Sequence, residues 1–285
     1  MIRTSYHTHN RFCDGAGEID EYVETAAAAG LEALGITSHS PLTFPDTAAI
    51  RADDLPAYCA AVTRLQAASR GRLRVHLGLE FDYIAERHSE LWALVEPYPF
   101  EYLIGSVHFV GEDAQGLPWA VDLTRQGFEQ GLRESFGGDI RRLVGAYYER
   151  VRGLIAWGQV AIVGHLDRVK KWNDDGRYFR EDEPWYRRET EATLRACARS
   201  SLIVELNTVG WRNAVRSPYP SPWIARSCLE LGIPLVVTTD AHAPVRVTDF
   251  HAEAEVLLRE IGCGSLAVLR DGGWTQEVWS PSGKS

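Results

Sequence analysis

Short apolar runs alternate with amphipathic stretches seven times along this chain, and that alternation limits its fold more than any other feature. Strand-like runs fall at 2–9, 31–37, 73–83, 102–107, 160–164, 202–206 and 233–239. A helical pattern follows each of them, at 18–30, 57–70, 89–95, 140–157, 189–199, 222–231 and 252–261. In 140–157 the residues Leu143, Tyr147, Val151, Leu154 and Ile155 line one side at helical spacing. Gly30 stops the first helix and Pro222 opens the sixth. Repeated β-then-α units imply an α/β fold with a parallel sheet and helices outside. Seven units favour a closed barrel, with an open doubly wound sheet as the alternative. Residues 111–138 hold six glycines and read as a long, partly irregular excursion. No linker or repeat divides the chain, so residues 1–285 are expected to form one domain.

Residues able to bind metal fall where these runs end. His7 and His9 end the first, and His39 follows the second. Glu80 lies near the end of the third, and His108 and His165 end the fourth and fifth. Asp240 and His242 end the last. The sixth, ending Glu205-Leu206-Asn207, lacks a histidine. Parallel α/β folds place their ligand site at the C-terminal strand ends, so these residues converge on one rim. Positions i and i+2 of a strand face the same side, so His7 and His9 can point at one ion. Imidazole with carboxylate suits zinc, manganese or iron rather than calcium. His76, His88 and His251 sit away from strand ends and read as solvent or helix-face histidines. Asp82 and Asp167 are expected to support ligands rather than to be ligands.

Charge and cysteines exclude other classes. A net charge of −9 opposes binding to nucleic-acid backbones or anionic lipid. The five cysteines are widely spaced with no C-x-x-C, as in reduced cytosolic proteins. The first residues lack the apolar run of a signal peptide, and no stretch approaches a membrane helix. A cytoplasmic protein is expected.

The segments H-T-H-N-R-F-C-D-G, I-T-S-H-S-P-L, L-G-L-E-F-D-Y, L-I-G-S-V-H-F, V-G-H-L-D-R-V-K-K-W, E-L-N-T-V-G-W-R and T-T-D-A-H-A-P together resemble the PHP family of metal-dependent phosphoesterases. The chain is most similar to its histidinol-phosphate phosphatase branch, and the likeness runs from residue 5 to about 244. The resemblance implies a distorted (β/α)7 barrel with three divalent metal ions at the C-terminal rim. By the family pattern His7, His9, Glu80 and Asp240 would hold one ion. Glu80 would bridge to a second, completed by His108 and His165. Asp14, His39 and His242 would hold a third. Ser38 and Thr239 depart from the residues frequent in the family, and neither is a ligand.

The implied reaction is hydrolysis of a phosphate monoester, L-histidinol phosphate in histidine biosynthesis, by hydroxide held between metal ions. Asp240 and His242 are the candidates for proton handling. Arg212 is the first candidate to grip phosphate, with Lys170 and Arg168 behind it. A nucleotide-directed enzyme of the same family would share every ligand. An amidohydrolase also begins with H-x-H, but it typically carries a strand-end lysine where Glu80 stands. A non-catalytic metal module is disfavoured because structural sites are usually small and cysteine-rich.

Overall fold

The computed structural model describes residues 1–280. All seven apolar runs form strands. In chain order the first part comprises β1 (Thr4–Ser5), α1 (Ile19–Ala28), β2 (Ala33–Ile36), α2 (Leu55–Ala68), β3 (Arg74–Asp82), α3 (His88–Val95) and β4 (Tyr102–Ser106). Then come β5 (Phe109–Glu112), β6 (Pro118–Ala120), α4 (Arg125–Phe136), α5 (Ile140–Trp157), β7 (Ile162–Val163) and α6 (Pro184–Ala198). The chain continues with β8 (Ile203–Asn207), α7 (Pro222–Glu230), β9 (Leu235–Thr238), α8 (His251–Glu260), β10 (Ser265–Arg270) and β11 (Gly273–Val278).

Seven strands pair in parallel in the order β1-β2-β3-β4-β7-β8-β9. The first and last strands meet beyond their regular segments, where His9 N donates to Ala241 O at 2.9 Å. The sheet therefore closes at its C-terminal rim, and the expected (β/α)7 barrel holds over the doubly wound alternative. Closure at this end brings the loops after β1 and β9 side by side.

The excursion at 111–138 is more regular than its glycines suggest. Residues β5 and β6 form an antiparallel hairpin, and α4 follows. Thr124 caps α4 by accepting from Gly127 N, and Gly137 ends it at φ +63°. The glycines here terminate elements rather than dissolve them. Along α4, Phe128, Leu132 and Phe136 are buried.

The antiparallel β10–β11 hairpin was not expected. Its Ala267 and Leu269 pack with Tyr6, Tyr102, Ile104, Ile162 and Ile203, of which Tyr102, Ile162 and Ile203 are the first residues of their strands. Tyr6 Oη also accepts from Leu269 N at 3.0 Å. This apolar plug seals the N-terminal end, so the barrel opens at the opposite rim.

Candidate metal centre

Each strand delivers its polar residues to that rim in a fixed orientation. Four atoms face one another in the first group: His7 Nε2, His9 Nε2, Asp240 Oδ1 and Glu80 Oε2. The two nitrogens lie 3.0 Å apart, and they stand 3.7 and 3.2 Å from Asp240 Oδ1. Their distances to Glu80 Oε2 are 3.2 and 3.3 Å. In a second group His165 Nε2 and His108 Nε2 lie 3.0 and 3.7 Å from Glu80 Oε1, and 3.2 Å from each other. In a third, Asp14 Oδ1 lies 3.7 Å from His39 Nε2 and 3.4 Å from His242 Nε2. His39 Nδ1 faces the other way, 3.0 Å from Glu80 Oε2.

These spacings are a test of metal fit. Ligand atoms 2.0–2.1 Å from one tetrahedral ion lie about 3.3 Å apart. Among the described residues buried Glu80 Oε2 accepts no hydrogen bond, although three imidazole nitrogens stand 3.0–3.3 Å away. A buried carboxylate oxygen so surrounded is satisfied by a cation shared with those nitrogens. The residues present fit divalent ions.

Protons are the alternative neutraliser, and the titration of these groups reflects it. Burial opposes charge on His7, yet Glu205, Glu80 and Asp240 outweigh it and raise its pKa to about 10. Burial likewise opposes charge on His108, and Asp82 and Glu80 lift it to about 9. Glu80 and Asp240 are held well below the carboxylate range; burial works against this, but the facing histidines prevail.

A second layer of residues fixes which nitrogen of each ring faces inward. His7 Nδ1 lies 2.6 Å from Glu205 Oε1, and His108 Nδ1 lies 2.6 Å from Asp82 Oδ1. His242 Nδ1 donates to Asp240 O at 2.9 Å. Asp240 itself adopts φ +48°, a strained turn for a non-glycine residue that aims its side chain inward. Gly15 is required beside Asp14, because a Cβ there would sit 2.2 Å from the His9 carbonyl carbon.

Glu205 is the functional residue that histidine-seeking missed. Its second oxygen accepts from His165 N at 2.7 Å and from Asn207 Nδ2 at 3.1 Å. The available signal was a charged residue inside the apolar run I-V-E-L-N. Asp122, just after β6, was also missed. Burial opposes its ionisation, but Arg168 and Lys171 hold it below the ordinary carboxylate range.

A cavity of about 340 Å³ opens over these ligands. Arg168 and Arg212 line it. Arg168 Nε donates to Asp122 Oδ2 at 2.8 Å, and its Nη1 lies 3.4 Å from Asp240 Oδ2. Arg212 pairs with Asp249 and lies against the Phe250 ring. Lys170 does not reach the cavity. Its ammonium is fully buried 2.8 Å from Asp167 Oδ2 and donates to Pro218 O at 2.9 Å. The lysine on the cavity wall is Lys171, one residue further on. Asp167 is thus spent on Lys170 and on Ser221 N, at 2.9 Å, rather than on a metal ligand. His76 is buried against Glu101, and His88 and His251 open α3 and α8.

The family model for the PHP domain matches residues 5–209. The chain belongs to the PHP family. It is 32% identical over 259 residues to a Deinococcus radiodurans protein named "Probable histidinol-phosphatase", covering 90% of this chain and 92% of that one. The histidinol-phosphatase of Bacillus subtilis is 28% identical over 258 residues, covering 85% and 94%. A solved histidinol phosphate phosphatase from Lactococcus lactis, complexed with zinc, L-histidinol and phosphate, shares the fold. Its TM-score is 0.70 at 22% identity, covering 93% of this chain and 96% of that one. Within the PHP family the chain is therefore most like the histidinol-phosphatase branch, and it is an enzyme of the phosphoric monoester hydrolase class. Among the described residues no helix is long and apolar enough to cross a membrane.

Proposed function

We propose that this PHP enzyme hydrolyses L-histidinol phosphate to L-histidinol and phosphate at a site holding three divalent ions. The carrying observation is Glu80, whose two oxygens face two separate groups of imidazoles. Its Oε2 stands among His7, His9 and His39, and its Oε1 stands beside His165 and His108. With Asp240 completing the first group, and Asp14, His39 and His242 forming a third, the donors suffice for three ions. The names of the full-length relatives and the ligands of the Lactococcus lactis enzyme support the substrate. Zinc is the ion of that enzyme, and manganese or iron would also suit these donors.

Divalent ions bound here supply charge for the phosphoryl oxygens and lower the pKa of water toward 7. The chain's own residues do the rest. Arg168, Lys171 and Arg212 line the cavity wall and offer N–H donors that bind and orient a phosphate. Asp122 holds Arg168 and Lys171 in place, with Lys171 Nζ donating to Asp122 O at 2.6 Å. Asp240 is the proton-handling residue. Its Oδ1 faces His9, while Oδ2 lies beside Arg168 Nη1 and Asn207 Nδ2 at 3.4 and 3.3 Å. His242 supports Asp240 through the backbone, because its Nδ1–H is committed to Asp240 O and its Nε2 faces Asp14 in the third group.

The test is phosphate release by metal-reconstituted protein, with L-histidinol phosphate beside nucleotides, sugar phosphates and p-nitrophenyl phosphate. L-histidinol phosphate should give the highest kcat/KM. A nucleotide or sugar phosphate ranking well above it would overturn the substrate assignment.

A further inference from the structure

Charged groups on the cavity wall are mostly neutralised by one another. Asp122 pairs with Arg168 and lies 3.8 Å from Lys171, Asp249 pairs with Arg212, and Asp82 holds His108. One carboxylate departs from this pattern. Asp46 lines the cavity, yet no Lys, Arg or His nitrogen lies within 4.0 Å of it among the described residues. Its Oδ1 is used locally, accepting from Ala48 N at 2.7 Å and Ala49 N at 3.0 Å. These bonds tie down the loop, and among the described residues Oδ2 has no protein donor.

Topology separates this carboxylate from the phosphate-facing cations. Asp46 sits on the loop after β2, whereas Arg168 and Lys171 follow β7. In the ring order β1-β2-β3-β4-β7-β8-β9 those two loops are three strands apart, on opposite sides of the mouth. The cavity therefore sets Arg168 and Lys171 on one wall and an uncompensated carboxylate on the other. A phosphate monoester with no positive charge would leave Asp46 facing a polyanion-binding site unpaired. A substrate carrying an ammonium group would pair with it. Beside Asp46, Leu42, Ala48 and Ala49 give the same wall an apolar surface suited to a flat ring.

We propose that Asp46 is a specificity-determining residue that receives the substrate's ammonium group, selecting amino-alcohol phosphates over uncharged phosphate esters. This rests on the histidinol-phosphate reading and names the contact that would enforce it. The group bound is a primary ammonium on the carbon next to the phosphate-bearing methylene. Its pairing with Asp46 sets the phosphate end toward Arg168 and Lys171.

The experiment compares wild-type and Asp46→Asn enzyme on L-histidinol phosphate and on 3-(imidazol-4-yl)propyl phosphate, which lacks only the ammonium. Asparagine keeps the Oδ1 acceptor that Ala48 and Ala49 use, so the loop is retained and only the charge is lost. Wild-type enzyme should prefer the amine-bearing ester. In the variant that preference should fall roughly 10- to 100-fold, as expected for a charge-assisted hydrogen bond, and the fall should appear in KM rather than kcat. Metal content and Tm, measured on the same samples, report whether the site and fold are retained. An equal loss on both esters, or an unchanged preference, overturns the role of Asp46. A wild-type enzyme with no preference for the amine-bearing ester instead sinks the substrate reading itself, whatever the variant does.

Discussion

Glu205 Oε1 lies 2.6 Å from His7 Nδ1, tying the sixth barrel strand to the first across the floor of the metal centre. Both side chains are fully buried. This contact holds His7 Nε2 toward Glu80 and Asp240, and a carboxylate behind a ligating imidazole also raises its basicity. Glu205→Gln should lower metal affinity or activity about 10- to 100-fold. Metal titration followed by activity at saturating metal separates the two effects. Unchanged affinity and activity would show that His7 needs no such support.

Removing Glu80 should cost more. Its two oxygens serve two groups of imidazoles, so Glu80→Ala removes a shared donor from both. Activity should fall roughly 100- to 1,000-fold, the scale on which a transition-state charge stabiliser acts. Bound metal per protein, read by mass spectrometry, should also drop. His9→Ala should show the same pair of losses. Full activity in both variants would sink the ligand scheme.

Metal uptake should release protons. Ligating imidazoles must be neutral, whereas metal-free His7 and His108 are held charged to about pH 10 and 9. At pH 7 ion entry should therefore expel about two protons from these two residues. Calorimetry in buffers of different ionisation heat measures that number, and affinity should rise with pH toward 9. The sign for stability follows. A histidine with its folded pKa above 6.5 stabilises fully below 6.5, and that contribution is lost as pH rises through 9 to 10. Metal-free protein should accordingly lose Tm in that alkaline range, while metal-loaded protein should not.

Lys170 should prove structural. Its ammonium is fully buried and paired with Asp167. Lys170→Met leaves that carboxylate buried and unpaired, at a cost of about 3–5 kcal/mol. Denaturant unfolding should show this loss, while KM for the phosphate ester in the folded variant stays near the wild-type value. A large rise in KM without loss of stability would return Lys170 to the substrate site.

The barrel was legible in the chain because strand and helix periods are local. The short apolar runs and the Leu143-to-Ile155 stripe each declare their element without reference to the rest. The metal-capable residues were legible for a related reason, since a strand's C-terminal end is a fixed place in a parallel sheet. His7, His9, Asp240 and their counterparts needed only that rule to be placed on one rim. What lay beyond sequence was pairing. Lys170 and Lys171 are neighbours in the chain, and a single step along a tight turn buries one beside Asp167 and turns the other to the cavity. Glu205 gains its role only because ring closure sets β8 close to β1. Sequence alone determined the elements and the rim, which depend on short-range periodicity. Tertiary structure decided which charge meets which, because those contacts join residues as far apart as 7 and 205 and exist only once the sheet has closed.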